Sequence, residues 1–472
     1  MALQGSSDFE GKLERVFGRD AVVEKGIHLS LGPWGVPRFI EEYLIMRECA
    51  GLSATSCAKR VSSILRRFRP EPSEKNLKLD QLMSDGELTL MDFFTVTTDI
   101  KKGVHRLSIP CLDLKKAMVH PRVLREHENL LRNGVWGMGR LLYDPKLSFG
   151  AKDSDPVSLV ELVPYQISSL DISEFQEARS KFSDEEWLDL LIKSLGLNPE
   201  AYEEDQRLYF LARLIPLAEP NTNMMEFGPR ATGKTFLYRN ISPLVRIVSG
   251  GVISPAQLFY HKVHGTVGLI GVMDVVVFDE IQYLKFAGAE EILGKLKDYM
   301  ASGHFERGAK QAASGCSLVF MGNVDWDVKE GLDIDRTIPR FAKDPAFMDR
   351  IHGLIPGWRL PKITGEEHLA KGKGLALDYL GSVLHELRMM NFREEVKGLV
   401  DIVGNPSIRD QQAVIRLLSG FLKILYPDMN FDGSLLPKIV QMVEEMRGIV
   451  RKWLAAKLPH EYGEDFEVVL LS

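Results

Sequence analysis

Eight consecutive residues constrain the fold of this chain more than any other stretch. Gly228-Pro229-Arg230-Ala231-Thr232-Gly233-Lys234-Thr235 matches G-x-x-x-x-G-K-[ST] at every fixed position, follows the strand-like Asn223 to Phe227 and opens the helix-like Thr235 to Arg239. Glycines let successive backbone N–H groups curl around phosphate oxygens at a helix N-terminus, where the peptide dipoles favour an anion. The context predicts an α/β unit with a mainly parallel sheet and ATP held by residues 228–235. Lys234 is then expected to reach the β and γ phosphates, and Thr235 to place its hydroxyl on Mg²⁺, which binds through few protein groups plus substrate phosphates.

Downstream, Val275-Val276-Val277-Phe278-Asp279-Glu280 is an apolar run ending in two carboxylates. An unbroken apolar run predicts a strand buried on both faces, and ligands bind at the carboxyl ends of such strands. Asp279 is the second Mg²⁺ candidate, and Glu280 the group that polarises the attacking water. A third strand, Ser317 to Met321, ends in Gly322-Asn323, so Asn323 is a candidate for orienting that water, a strand-ending turn residue being the alternative. Residues 302–310 predict a hairpin carrying Arg307 and Lys310 near its tip, placed either against a nucleic-acid backbone or simply in solvent. Arg350 follows a helix-like segment and is a candidate arginine finger for a neighbour's ATP, with a local salt bridge as the competing role. Arg409, at the start of an amphipathic helix, is a further candidate for contact with the γ phosphate.

Elsewhere the first 80 residues show apolar positions at helical spacing. One helix there carries Lys59, Arg60, Arg66, Arg67 and Arg69, and residues 1–70 hold eleven Lys/Arg against eight Asp/Glu in a chain whose net charge is −6. That local surplus suits phosphate contact as well as it suits a solvated face, whereas the overall charge excludes a globally basic coat. From about Leu88 the period becomes two, with strands expected at residues 94–98, 104–109, 135–143 and 158–163, forming a small barrel or sandwich. Ser183 to Glu186 is a capping box that opens an amphipathic helix. Beyond about residue 366 the pattern is almost wholly helical to residue 460. Cys49, Cys57, Cys111 and Cys316 lack C-x-x-C spacing and are expected to be reduced thiols. Neither a secretory leader nor a membrane span is expected, which points to the cytoplasm.

The order of these motifs resembles that of AAA+ ATPases, and Ser407 to Leu417 with the Arg350 segment is similar to the minichromosome-maintenance helicases. Gly35-Val36-Pro37-Arg38-Phe39, Ile241-Ser242-Pro243, Asp274 to Glu280, Asp349-Arg350-Ile351-His352-Gly353 and Pro356-Gly357-Trp358 resemble the Lon-related BrxL family of BREX phage-defence systems. Periodicity divides the chain into a helical region at 1–80, a β-rich, barrel-like domain at 81–166 with an OB-like topology among those left open, a helical connector at 167–205, an α/β core at 206–365 and a helical lid and C-terminal region at 366–472. The resemblance implies that the core is AAA+ and that the first region binds DNA. It further implies double-stranded DNA, other BREX proteins and a homo-oligomer, a hexamer or double hexamer, as partners. An ATP-driven DNA translocase and a nucleotide-switched ring that encircles DNA without moving both fit, and an unfoldase is the more distant alternative. Longer members append a Lon-protease-like domain; only 47 residues follow Leu425, without a Ser/Lys dyad context, so no peptidase activity is expected.

Overall fold

The computed structural model describes residues 2–27, 31, 34–100, 102–146, 154–165, 170–261, 266–307, 310–324, 334–463 and 466–471. They form two compact units, residues 22–170, and residues 1–21 together with 171–472.

In the first unit, helices α2 (Arg38–Glu48), α3 (Ala54–Phe68) and α4 (Lys75–Asp85) precede five strands. Ser53 caps α3 by accepting from the Ser56 N–H at 3.3 Å, and Cys57, Ala58, Val61 and Leu65 recur on its buried face. Lys59, Arg60, Arg66 and Arg67 consequently all point to solvent. One expectation is corrected here. Cys49, which ends α2, and Cys57, in the first turn of α3, are joined in a disulfide, leaving Cys111 and Cys316 as the free thiols among the described residues. Helix packing brought together two cysteines that no spacing rule would pair.

The strands β1 (Glu87–Asp99), β2 (Val104–Ile109), β3 (Leu114–Val119), β4 (Val135–Tyr143) and β5 (Val157–Pro164) close into a barrel in the order β1-β2-β3-β5-β4. All ladders are antiparallel except β3 with β5. Leu90, Phe94, Leu107, Ile109, Leu141 and Leu159 alternate inward and fill the interior. Gly139 is required on β4, because a Cβ there would lie 2.5 Å from the Phe94 ring.

The second unit begins with α1 (Ala2–Phe17), whose Phe17 packs against Phe175, Phe182 and Trp187 at 6.0–6.3 Å between ring centres. Phe175 lies in α5 (Ile172–Arg179) and Trp187 in α6 (Asp184–Ser194). The Ser183 box opens α6 as the sequence predicts, its hydroxyl accepting from Glu186 N–H at 3.2 Å while the Glu186 carboxylate accepts from Ser183 N–H at 2.9 Å. The central sheet contains β6 (Met224–Gly228), β7 (Val245–Ser249), β8 (Val275–Asp279), β11 (Ser317–Asn323) and β12 (Gly353–Pro356), in the order β12-β6-β11-β8-β7 and wholly parallel. Between β8 and β11 runs the predicted hairpin of β9 (His304–Arg307) and β10 (Lys310–Ala313). A shorter antiparallel ladder, Tyr260–His261 with Thr266–Val267, was not foreseen. Val400–Gly404 departs from the all-helical expectation, because its β-branched residues pair with Phe466–Leu470. Among the described residues no helix is long and apolar enough to cross a membrane.

Candidate active site

The loop of residues 229–233 joins β6 to α8 (Lys234–Asn240). Ala231 and Gly233 have positive φ, +66° and +78°, the alternation that turns consecutive N–H groups into a concave anion cradle. Gly228 is demanded by tertiary contact, since a Cβ there would stand 2.5 Å from the Gly357 carbonyl carbon. Behind the loop, Arg213 grips Glu226 of β6 through two bonds of 2.7 and 3.0 Å and donates at 2.9 Å to the Thr232 carbonyl. Both members of this ion pair are almost wholly buried, so the loop is braced by a charge-assisted clamp.

Lys234 donates to the Gly228 and Pro229 carbonyls at 3.0 and 2.7 Å. Burial pushes its ammonium down from the usual lysine range, against the pull of Glu226 and Asp279. The Thr235 hydroxyl donates to Asp279 Oδ2 at 2.8 Å, while Asp279 Oδ1 accepts from the Glu280 N–H at 2.9 Å. A hydroxyl beside a nearly buried carboxylate is the oxygen donor set that Mg²⁺ takes up beside phosphate, so these residues fit the expected ion. Glu280 is exposed and held at φ +51°, a backbone region costly for a residue with a Cβ. Asn323, at the end of β11, pairs in register with Gly228, and the next residue's N–H bonds the Gly228 carbonyl at 3.1 Å. β11 sits between the strands bearing the loop and Asp279, so residues 228–235, Asp279, Glu280 and Asn323 converge at the carboxyl ends of three adjacent strands.

Arg350 and Arg409 form a second group. β12 runs parallel to β6 with Gly353 opposite Met224 and Pro356 opposite Phe227, so Arg350, three residues before Gly353, lies at the amino ends of the strands. Its guanidinium bonds back to the Ala346 carbonyl, and burial with the nearby Arg409 pushes it below the usual arginine range. Arg409 opens α11 (Ile408–Leu425) and pairs with Asp349. Of the DNA candidates, Arg60 pairs with Glu48 at 3.2 Å, and Arg307 and Lys310 face each other in register. The side chains of Arg307 and Lys310 and the turn between them lie outside the described residues.

Residues 157–467 match the family model described as "Lon-like protease BrxL-like, ATPase domain", and residues 15–143 match "BREX system Lon protease-like protein BrxL N-terminal". The chain belongs to the BrxL family. It is 34% identical over 427 residues to "Lon-like protease BrxL" of Escherichia coli O9:H4 (strain HS), an overlap covering 89% of this chain and 60% of that protein. It is 32% identical over 444 residues to the protein of the same name from Bacillus cereus (strain H3081.97), covering 93% of this chain and 64% of that one. The chain thus spans about three fifths of the length of these curated relatives. "Protease" is part of their names; what matches here in this BrxL-family chain is an N-terminal and an ATPase domain.

Sequence reading missed what holds the second group. Asp410, wholly buried, closes the Ser407 capping box, accepts from Arg447 Nε at 2.8 Å and pairs with Arg451; both arginines lie on α12 (Leu436–Lys457). Arg447 also reaches Asp349 at 3.2 Å. Burial pushes the Asp410 carboxyl up, but Arg447, the Ser407 N–H and Arg451 outweigh it and hold it below the ordinary range. The only cue in the sequence was the capping-box spacing. Asp410→Asn leaves Arg447 and Arg451 short of a buried counter-charge, so denaturant titration is expected to show a loss of about 3–5 kcal/mol. A loss under about 1 kcal/mol would mean the arginines are satisfied by carbonyls alone.

Proposed function

We propose that this chain is a ring-forming AAA+ ATPase that binds double-stranded DNA and hydrolyses ATP in BREX anti-phage defence, translocating along the DNA or remodelling it. The observation that carries this reading is the division of the site. The phosphate loop stands at the carboxyl end of β6, whereas Arg350 and Arg409 stand at the amino end, on the order of 10 Å away along the strands. Two arginines turned from the chain's own loop, yet positioned together, suit a neighbour's triphosphate. A heterologous head-to-tail contact repeated around an axis closes a ring, here a hexamer or a pair of hexamers.

In this mechanism residues 228–235 bind and orient the phosphates, with Lys234 turning from its carbonyl partners to the β and γ phosphates. Thr235 and Asp279 would hold Mg²⁺, which neutralises phosphate charge when bound. Asn323 orients the attacking water from the neighbouring strand, and the Glu280 carboxylate takes its proton. Arg350 of one subunit supplies positive charge to the γ phosphate on the next, with Arg409 beside it.

The strand order of the barrel, closed by the parallel β3–β5 pair, supports an OB-like nucleic-acid module. The outward cations Lys59, Arg60, Arg66 and Arg67 of α3 and the Arg307 to Lys310 hairpin supply phosphate contacts. Cytoplasmic action with other BREX proteins follows from the same reading. Substituting both Arg307 and Lys310 by Ala is expected to reduce the slope of log affinity against log salt for a duplex by about 2, and to reduce DNA stimulation of ATP hydrolysis. An unchanged slope would remove the hairpin from the DNA path. ATP turnover stimulated by unfolded protein and indifferent to duplex would remove the DNA-motor reading itself.

A further inference from the structure

At the amino ends of the strands, away from the nucleotide loop, lies a cavity of about 510 Å³ whose walls include Arg388, Arg393, Lys397, Arg416, Glu219 and Glu394. Arg388 ends α10 (Leu377–Met389), and Arg416 sits two turns along α11 from Arg409. Glu219 is buried and already shared: Arg393 Nε donates to it at 2.7 Å and Lys423 Nζ lies 2.7 Å away. Glu394 is taken by Lys397 at 2.7 Å. Asp274 lies 3.6 Å from Arg388 and also pairs at 2.7 Å with His385.

The cluster therefore sets five cations, Arg388, Arg393, Lys397, Arg416 and Lys423, against the three carboxylates Glu219, Glu394 and Asp274. Arg416 meets the Pro220 and Asn221 carbonyls at 2.8 and 3.1 Å, and Arg388 meets those of Pro216, Leu217 and Gly315. Carbonyl oxygens satisfy N–H donors but carry no net charge, so the surplus is uncompensated. Burial, then the like charge of Arg393, pushes Arg416 down to about 10. Concentrating positive charge in a partly buried cavity is costly unless an anion completes it.

We propose that this cavity is a second oxyanion site, distinct from the loop at residues 228–235, and that it binds a phosphate group. Guanidinium forks match phosphate geometry, and the cavity is of ligand size. The site also reaches the root of the β9–β10 hairpin, because Arg388 bonds the Gly315 carbonyl, and the Asn221 whose carbonyl Arg416 holds donates its own N–H to that same carbonyl at 2.8 Å. A bound phosphate would thus draw on the same arginines that anchor the hairpin.

The test uses inorganic tripolyphosphate, titrated calorimetrically into the full Lys234→Ala chain so that the loop site is removed. One site per chain is expected, weakened about tenfold by Arg416→Gln and likewise by Lys397→Glu. The Lys397 side chain is 52% exposed, so its charge reversal leaves the core intact and is decisive even where Arg416→Gln disturbs folding. Displacement of the probe by a short duplex identifies backbone phosphate as the natural source, and retention beside the duplex identifies a free polyphosphate; both uphold the site. Absence of binding to the Lys234→Ala chain, or binding that Lys397→Glu leaves unchanged, overturns it. The outcome is independent of whether the chain hydrolyses ATP.

Discussion

Arg350→Ala is expected to lower ATP turnover by about 10³-fold or more, and activity should return when this variant is mixed with equally inactive Lys234→Ala protein. The reason is the opposed placement of the two groups. Arg350→Ala subunits keep an intact phosphate loop, and Lys234→Ala subunits keep an intact guanidinium at the amino end of β12. Where the loop of the first meets the arginine of the second, a complete site exists, in roughly a quarter of the interfaces of a random ring. Mixing also separates chemistry from folding, because a misfolded Arg350→Ala subunit could not contribute a working loop. A mixture that stays inactive although the two variants co-assemble would return Arg350 to a local structural role, holding the Ala346 carbonyl.

Glu280→Gln is expected to reduce hydrolysis by about 10²–10⁴-fold while leaving ATP affinity within a factor of about two. The amide keeps the volume and reach of the carboxylate and removes only its basicity. The groups assigned to phosphate and Mg²⁺, namely Lys234, Thr235 and Asp279, bond one another, backbone or the Thr232 hydroxyl, and Glu280 enters that set only through its N–H, unchanged by the substitution. Single-turnover hydrolysis measured alongside nucleotide binding distinguishes the two effects. Near-normal turnover would remove Glu280 as the base, and lost binding would place it among the groups that hold the nucleotide.

How much of this was legible in the sequence varied with the distance over which each feature is decided. The loop at residues 228–235 was plain because four of its eight adjacent positions, Gly228, Gly233, Lys234 and Thr235, are fixed to particular residue types. The barrel strands were visible as alternation, and β4 and β5 fall close to where the pattern placed them. The reason for Gly228 was not visible, since the atom that excludes a side chain there belongs to Gly357. Nor was the Cys49–Cys57 bond, which depends on α2 and α3 folding back on each other. Arg409 stood out as a cation at a helix start, but its partner Asp349 lies 60 residues earlier in the chain. Asp410 showed only as the far end of a capping box, and nothing nearby pointed to its two arginines on α12.

Local chemistry therefore determined, from sequence by itself, that the chain carries a glycine-bounded loop between a strand and a helix, a buried strand ending in Asp279 and Glu280, and a small β structure before both. Side-chain periodicity and turn residues act over a few positions, and they suffice for such elements. Only the tertiary structure decided which strands lie side by side and that Arg350 falls at the end opposite the loop, because strand order and parallel register arise from pairings between segments far apart in the chain. That long-range pairing puts the loop and Arg350 at opposite ends of β6 and β12, and collects Arg388, Arg393 and Arg416 into one cavity.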